Sequence, residues 1–258
     1  MDERHLKGKV IIVTGASRGI GRAIALRLGQ GGARLVITAR SLKALEQTAA
    51  DLRAMKAEVQ TVATPDIEAE SVVSAALAAY GRVDVLINNA GTTKTGNFVD
   101  LTDEDWIDGF KVKMLGAARM ARAAWPELAK SHGSLINMSG AGGHTPDARF
   151  TIGGSVNAAV MAFTKAMAQQ GVVDGVQVNC ISPGLVRTDR LIRRIEEHAE
   201  LWAVSKEEAA KRMQAQLQIT GFADPEEIAE LMVYLLSPAG RIFHGAVMDA
   251  DAGYTKGL

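Results

Sequence analysis

Glycines at 15, 19 and 21 fall within the short stretch Thr14 to Gly21, a spacing that suits a backbone made to approach a phosphate. Without a Cβ these residues leave nothing between main chain and ligand, and a helix opening near Gly19 turns unpaired N–H groups and its positive dipole end toward a pyrophosphate. Gly15, Ser17, Arg18, Gly19, Ile20 and Gly21 are the expected contacts. Glycine turns also occur as plain packing devices; an apolar run before this one and a helical pattern after it favour the dinucleotide reading. A second set follows the next apolar run, at Arg40 and Ser41. An acidic residue there would accept from a ribose 2′-hydroxyl, whereas a guanidinium pairs with a 2′-phosphate. Ala39-Arg40-Ser41 carries no carboxylate, and Arg18 is a second cation, so these residues favour NADP(H) over NAD(H). The alternative is a solvated arginine at a strand end. Asp66 and Ile67 could hold the adenine edge, although Asp66 would look the same as a helix N-cap.

These residues need elements to position them. Val10 to Val13 reads as a strand, and Ile20, Ile24 and Leu28 mark one face of the helix that follows. Further strands are expected at 33–39, 58–63, 83–87, 134–138, 176–181 and 246–248. Helices are expected at 42–52, 67–79, 103–130 (one long or two abutting), 153–170 and 225–236, the last N-capped by Asp224 with Pro225 at its first position. Short buried strands alternating with helices imply an α/β fold: a Rossmann-like doubly wound parallel sheet with helices on both faces, in one domain over 1–258. Ligands in such a sheet sit beyond the carboxyl ends of the strands.

Composition narrows the function. The 258 residues carry 29 basic and 29 acidic side chains, so no general electrostatic attraction to nucleic acid or an anionic membrane is expected. Cys180 is the single cysteine, so no intrachain disulfide can form, and a reducing compartment is expected. With no bilayer-length apolar segment and no signal-peptide core, a cytoplasmic location is expected. The partner is a small-molecule substrate, and no metal is expected.

Several motifs in order resemble the short-chain dehydrogenase/reductase family: Thr14 to Gly21, Asp66, Asn88-Asn89-Ala90-Gly91, Ser182-Pro183-Gly184 with Thr188, and Asp251-Ala252-Gly253. The resemblance covers nearly the whole chain. It implies a sheet of about seven strands, a homotetramer, and a substrate lid at about 185–220. It also implies cofactor contacts from Asn89, Ala90, Gly91, Pro183, Gly184, Val186 and Thr188. The charged and apolar positions of Leu191 to Gln218 suggest that the lid is helical and mobile.

The family's chemistry rests on asparagine, serine, tyrosine and lysine, the last two spaced Tyr-x-x-x-Lys. Aligning Asn157-Ala158-Ala159-Val160 with the family's Lys-Ala-Ala-Val puts Asn157 at the lysine position and Gly153 at the tyrosine position. Gly140, beside Ser139, takes the serine position, and Lys113 the asparagine position. Phe150 has an aromatic ring without the hydroxyl. Ser139 could stand in for the serine, but strand alternation turns a neighbour's hydroxyl to the other face unless the strand has ended. Lysine and asparagine have thus exchanged helices, and an ammonium from the opposite wall could donate the proton a phenol would have given. Against this, Lys113 could be a surface lysine in a drifted site. His144, after the fifth strand, is a second candidate acid. The leading reading is an NADP(H)-dependent oxidoreductase with a rewired site, acting between nicotinamide and a carbonyl or alcohol. The alternatives are a silent NADP(H)-binding module or a non-redox enzyme, the last motivated by glycines at 140, 142, 143, 153 and 154 that would widen the pocket.

Overall fold

The structure, a computed structural model, describes residues 4–64 and 68–256. A parallel sheet of seven strands forms the middle layer: β1 (Val10–Thr14), β2 (Arg34–Ala39), β3 (Val59–Ala63), β4 (Val85–Asn88), β5 (Ser134–Met138), β6 (Gln177–Pro183) and β7 (Val247–Ala250). The spatial order is β3-β2-β1-β4-β5-β6-β7. Successive residues of β1 point to opposite faces, and both faces are covered. Ile11 and Val13 pack with Ile24, Leu28, Leu52 and Met232. Val10 and Ile12 pack with Val72, Met120, Leu128 and Leu135. Each such fully buried aliphatic side chain contributes about 1.5–3 kcal/mol relative to exposure, which explains why the strands read as continuous apolar runs.

The helices are α1 (Gly19–Gln30), α2 (Leu42–Ala54), α3 (Ala69–Tyr80), α4 (Asp103–Gly109), α5 (Gly116–Ser131), α6 (Thr151–Asp174), α7 (Asp189–Leu201), α8 (Lys206–Leu217) and α9 (Pro225–Leu236). The first helix begins at Gly19, so the glycine stretch supplies its opening turn. The expected segment 103–130 is one helical run interrupted by a π-helical turn, Phe110–Leu115, which carries Lys113. Such turns re-aim side chains and are frequent at functional sites. The N-terminus of α9 is closed as expected, the Asp224 N–H donating to Glu227 at 2.7 Å. Between β6 and α9, helices α7 and α8 pack on a small core of their own, Leu191, Met213, Ile219 and Phe222. No helix among the described residues is long and apolar enough to cross a membrane.

Two features of this topology position the site. All strands run the same way, so the segments after Thr14, Ala39, Asn88, Met138 and Pro183 meet at one edge. The chain order also reverses between β1 and its neighbours β2 and β4, leaving a crevice at that edge.

Candidate functional site

The glycine turn is held by the Thr14 and Asn89 side chains, which bond to neighbouring backbone groups. The Thr14 hydroxyl, 2% exposed, donates to the Ile87 carbonyl at 3.3 Å and accepts from the N–H groups of Asn89 and Ala90, both at 2.9 Å. The Asn89 amide donates back to the carbonyls of Thr14 at 3.0 Å and Gly15 at 3.2 Å. A Cβ at Gly21 would lie 2.3 Å from Asn89 Nδ2 and 2.4 Å from the Gly15 oxygen, and one at Gly15 would lie 2.9 Å from Ala90 Cα. Gly15 and Gly19 also adopt positive φ, +68° and +54°. No side chain caps α1, whose N-cap is Arg18 and whose first turn holds no acid. Its first N–H groups therefore stay available to an anion.

The cations expected near a 2′-phosphate are at this edge too. Arg18 and Arg40 are exposed, and among the described residues neither pairs with a carboxylate. Thr14 pairs with Thr38 across β1 and β2, which sets the following turns side by side. Ser41 accepts from the Ala44 N–H at 3.4 Å and so caps α2. Asp66 and Ile67 lie outside the described residues.

On the far side, Pro183 ends β6 and the Gly184 N–H donates to the Ala250 carbonyl at 3.1 Å. A Cβ at Gly184 would meet Asp251 Cα at 2.8 Å, so the Asp-Ala-Gly segment fixes that turn. The Val186 side chain is buried in the α1–α9 core, while Thr188 Cγ2 sits 3.1 Å from where a Gly19 Cβ would be. Thr188 thus closes over the glycine turn.

Lys113 and Asn157 come together. Lys113 Nζ donates to Asn157 Oδ1 at 2.6 Å and to the Ser139 carbonyl at 2.8 Å. Lysine is donor-only, so the amide oxygen faces it, and among the described residues Asn157 Nδ2 donates to no other group. The aliphatic stem of Lys113 lies against Gly91, where a Cβ would be 2.8 Å from its Cδ. Lys113 is therefore no surface lysine: it is half-buried, and burial lowers its pKa to about 8, with Arg190 pushing the same way. Burial raises the nearby Cys180 thiol to about 11, so at neutral pH it brings no negative charge to the ammonium.

The other candidates are placed differently. Ser139, 7% exposed, lies just past the end of β5, and its hydroxyl donates to the Asn157 carbonyl at 2.9 Å. His144 is exposed and its Nδ1 lies 3.0 Å from the Asp249 carboxylate, with no hydrogen bond to Lys113, Ser139 or Asn157.

The five glycines do not open the pocket, contrary to expectation, because the chain's own groups fill the room they leave. A Cβ at Gly153 would fall 2.0 Å from Phe150 Cζ, and one at Gly142 3.0 Å from Phe150 Cδ1. One at Gly140 would be 2.9 Å from Asn157 Nδ2, at Gly143 2.7 Å from Met161 Cε, and at Gly154 3.0 Å from the Gly142 oxygen. The Phe150 ring is stacked in turn by the Arg190 guanidinium, 5.3 Å from its centroid. Sequence reasoning noted Phe150 only for its missing hydroxyl and did not single out Arg190. A helical i, i+3 spacing from Phe150 to Gly153 was the available signal.

Residues 15–255 match the family described as enoyl-(acyl carrier protein) reductase, adh_short_C2. The chain belongs to the short-chain dehydrogenase/reductase family. It is similar to the 3-oxoacyl-acyl-carrier-protein reductase FabG of Vibrio cholerae, 31% identical, the match covering 96% of this chain and 98% of that one. Among solved structures it is similar to L-sorbose reductase from Gluconobacter frateurii, complexed with NADPH and L-sorbose. The TM-score there is 0.94 at 30% identity over 100% of both chains. An actinorhodin polyketide ketoreductase with NADPH gives a TM-score of 0.89 at 30% identity, over 97% of this chain and 98% of that one. The family frame spans the glycine turn, the Asn89–Gly91 brace and the Asp251 segment described above.

Proposed function

We propose that the chain is an NADP(H)-dependent oxidoreductase acting between a carbonyl and an alcohol, with Lys113 as its proton donor. The turn fits this cofactor: its cradle has no room for a Cβ at Gly21, the α1 N-terminus is uncapped, and among the described residues neither Arg18 nor Arg40 pairs with a carboxylate. When bound, NADPH supplies the hydride. The protein's task is then to orient the carbonyl and deliver one proton to its oxygen.

The observation that carries this reading is the ammonium held at 2.6 Å by Asn157 and 2.8 Å by Ser139. With a pKa near 8 it is mostly charged at neutral pH yet a better acid than a solvated lysine. Asn157 orients it and offers Nδ2 as a second donor to the same oxygen. Lysine and asparagine thereby replace the phenol, the hydroxyl and the ribose-gripping lysine that the family resemblance leads one to expect. NADPH consumption should appear against a panel of ketones and aldehydes, and Lys113→Met should lower kcat about 10²- to 10⁴-fold with NADPH affinity retained. Failure of the wild type to turn over any carbonyl, or an unchanged kcat in the variant, overturns the assignment.

One observation favours a silent NADP(H)-binding module: Phe150 fills the volume above Gly153 where the family's tyrosine would stand. Tight NADPH binding without turnover in the same screen would select it. For assembly we propose a homo-oligomer, the resemblance's tetramer, through the α5–α6 face. The groove there is lined by Trp125, Phe163 and Met167, and Val172 and Val173 are 73% and 78% exposed.

A further inference from the structure

Arg190 and Arg194 stand one turn apart on α7; burial lowers the proton affinity of Arg190, and the charge of Arg194 adds to it. Like charges at this spacing destabilise a helix unless an anion lies between them. Some other cations of the same region have partners, Arg187 with Asp224 at 3.2 Å, Lys206 with Glu196 at 2.6 Å and Arg212 with Glu208 at 2.9 Å, while Arg193 and Lys211, among the described residues, have none. Among the described residues neither Arg190 nor Arg194 has one. Asp147 and Arg194 both act on Tyr254, and an Asp147 oxygen accepts from the Arg149 N–H at 2.7 Å.

Arg190 is also tied to the pocket. Its guanidinium stacks on Phe150, whose ring lies over Gly153, and its charge reaches Lys113. With the ring on one side, 5.3 Å from its Cζ, and no carboxylate partner among the described residues, the guanidinium keeps its N–H donors for a planar, bidentate acceptor. We propose that the substrate is an oxo acid whose carboxylate docks on Arg190, with Arg194 behind it, while its carbonyl faces Lys113. This rests on the oxidoreductase reading above and adds the substrate's charge to it. A stacked arginine suits a carboxylate better than lysine would, because the flat fork matches the flat anion.

The test uses the full chain saturated with NADPH and three probes, 2-oxobutanoate, levulinate and 5-oxohexanoate, each beside its methyl ester. Isothermal titration reads binding and NADPH absorbance reads turnover. At least one acid should bind ten-fold or more tighter than its ester, and Arg190→Gln should bring acid and ester level. Equal binding of acid and ester by the wild type, binding of neither, or a preference that survives Arg190→Gln overturns the proposal. An acid that binds in preference to its ester but is never reduced upholds the docking site and overturns the reductase reading instead.

Discussion

Gly21 and Gly153 both lack room for a Cβ, but for opposite reasons. At Gly21 the space is taken by Asn89 and by the backbone oxygen of Gly15, each itself fixed by hydrogen bonds to the β1 end. At Gly153 it is taken by the tip of one aromatic side chain, Phe150. The nucleotide side of the molecule is thus fixed by main chain together with the Thr14 and Asn89 side chains that tie it down. The substrate side is determined by side chains, those of Lys113, Asn157 and Phe150.

The largest expected effect tests the first half of that contrast. Gly21→Val places a branched side chain where even a Cβ would be 2.4 Å from a backbone oxygen, so the turn must open. NADPH binding should fall more than 100-fold by titration, together with a lowered melting temperature. Retained affinity would mean the turn is not a backbone-fixed cradle.

Next comes the pH response of Lys113. Its folded-state pKa of about 8 lies below the ordinary 10.5 because burial disfavours the ammonium. Carbonyl reduction, which needs the proton, should fall as pH rises through about 8, and alcohol oxidation, which needs the free amine, should rise through the same value. Stability has the same origin. Between about 8 and 10.5 the unfolded chain binds the proton that the folded one has lost, so stability increases with pH across that window. Both pH limbs should vanish in Lys113→Met, and a limb that persists assigns the titration to another group.

A smaller effect is expected at Arg40. A hydrogen bond to a charged group contributes about 1.5–3 kcal/mol, so Arg40→Ser should weaken NADPH about 10- to 100-fold and leave NADH nearly unchanged. Equal losses for both nucleotides would remove the 2′-phosphate role.

What the sequence made legible divides along the same line. The run Val10 to Val13, the glycine spacing and the alternation of strands with helices announce the sheet, because backbone geometry follows from local residue types. Even so, Lys113 lies on a π-helical turn that no periodicity marks. That Lys113 and Asn157 could face one another was readable only through the family resemblance; the 2.6 Å contact between them depends on how their helices pack. Phe150 over Gly153 was not readable at all, since glycines suggest open space and only the loop's path reveals what fills it. Arg190 escaped for a related reason: its meaning lies in the ring beneath it and in the absence of a carboxylate among its described neighbours.

That loop contact gives the smallest and most discriminating prediction. In the native protein Gly153→Ala must displace the Phe150 ring, a strain of about 1–3 kcal/mol. With Phe150→Ala already made, the same change meets no ring, and alanine in a helix is favoured over glycine by about 0.5–1 kcal/mol. The effect of Gly153→Ala on stability should therefore reverse sign between the two backgrounds, read by denaturant titration as a double-mutant cycle. The same cycle built on Gly21 and Asn89→Ala should show no reversal, because the Gly15 oxygen at 2.4 Å remains when the asparagine amide is gone. Reversal at both glycines, or at neither, would erase the distinction between a main-chain cradle and a side-chain-filled pocket.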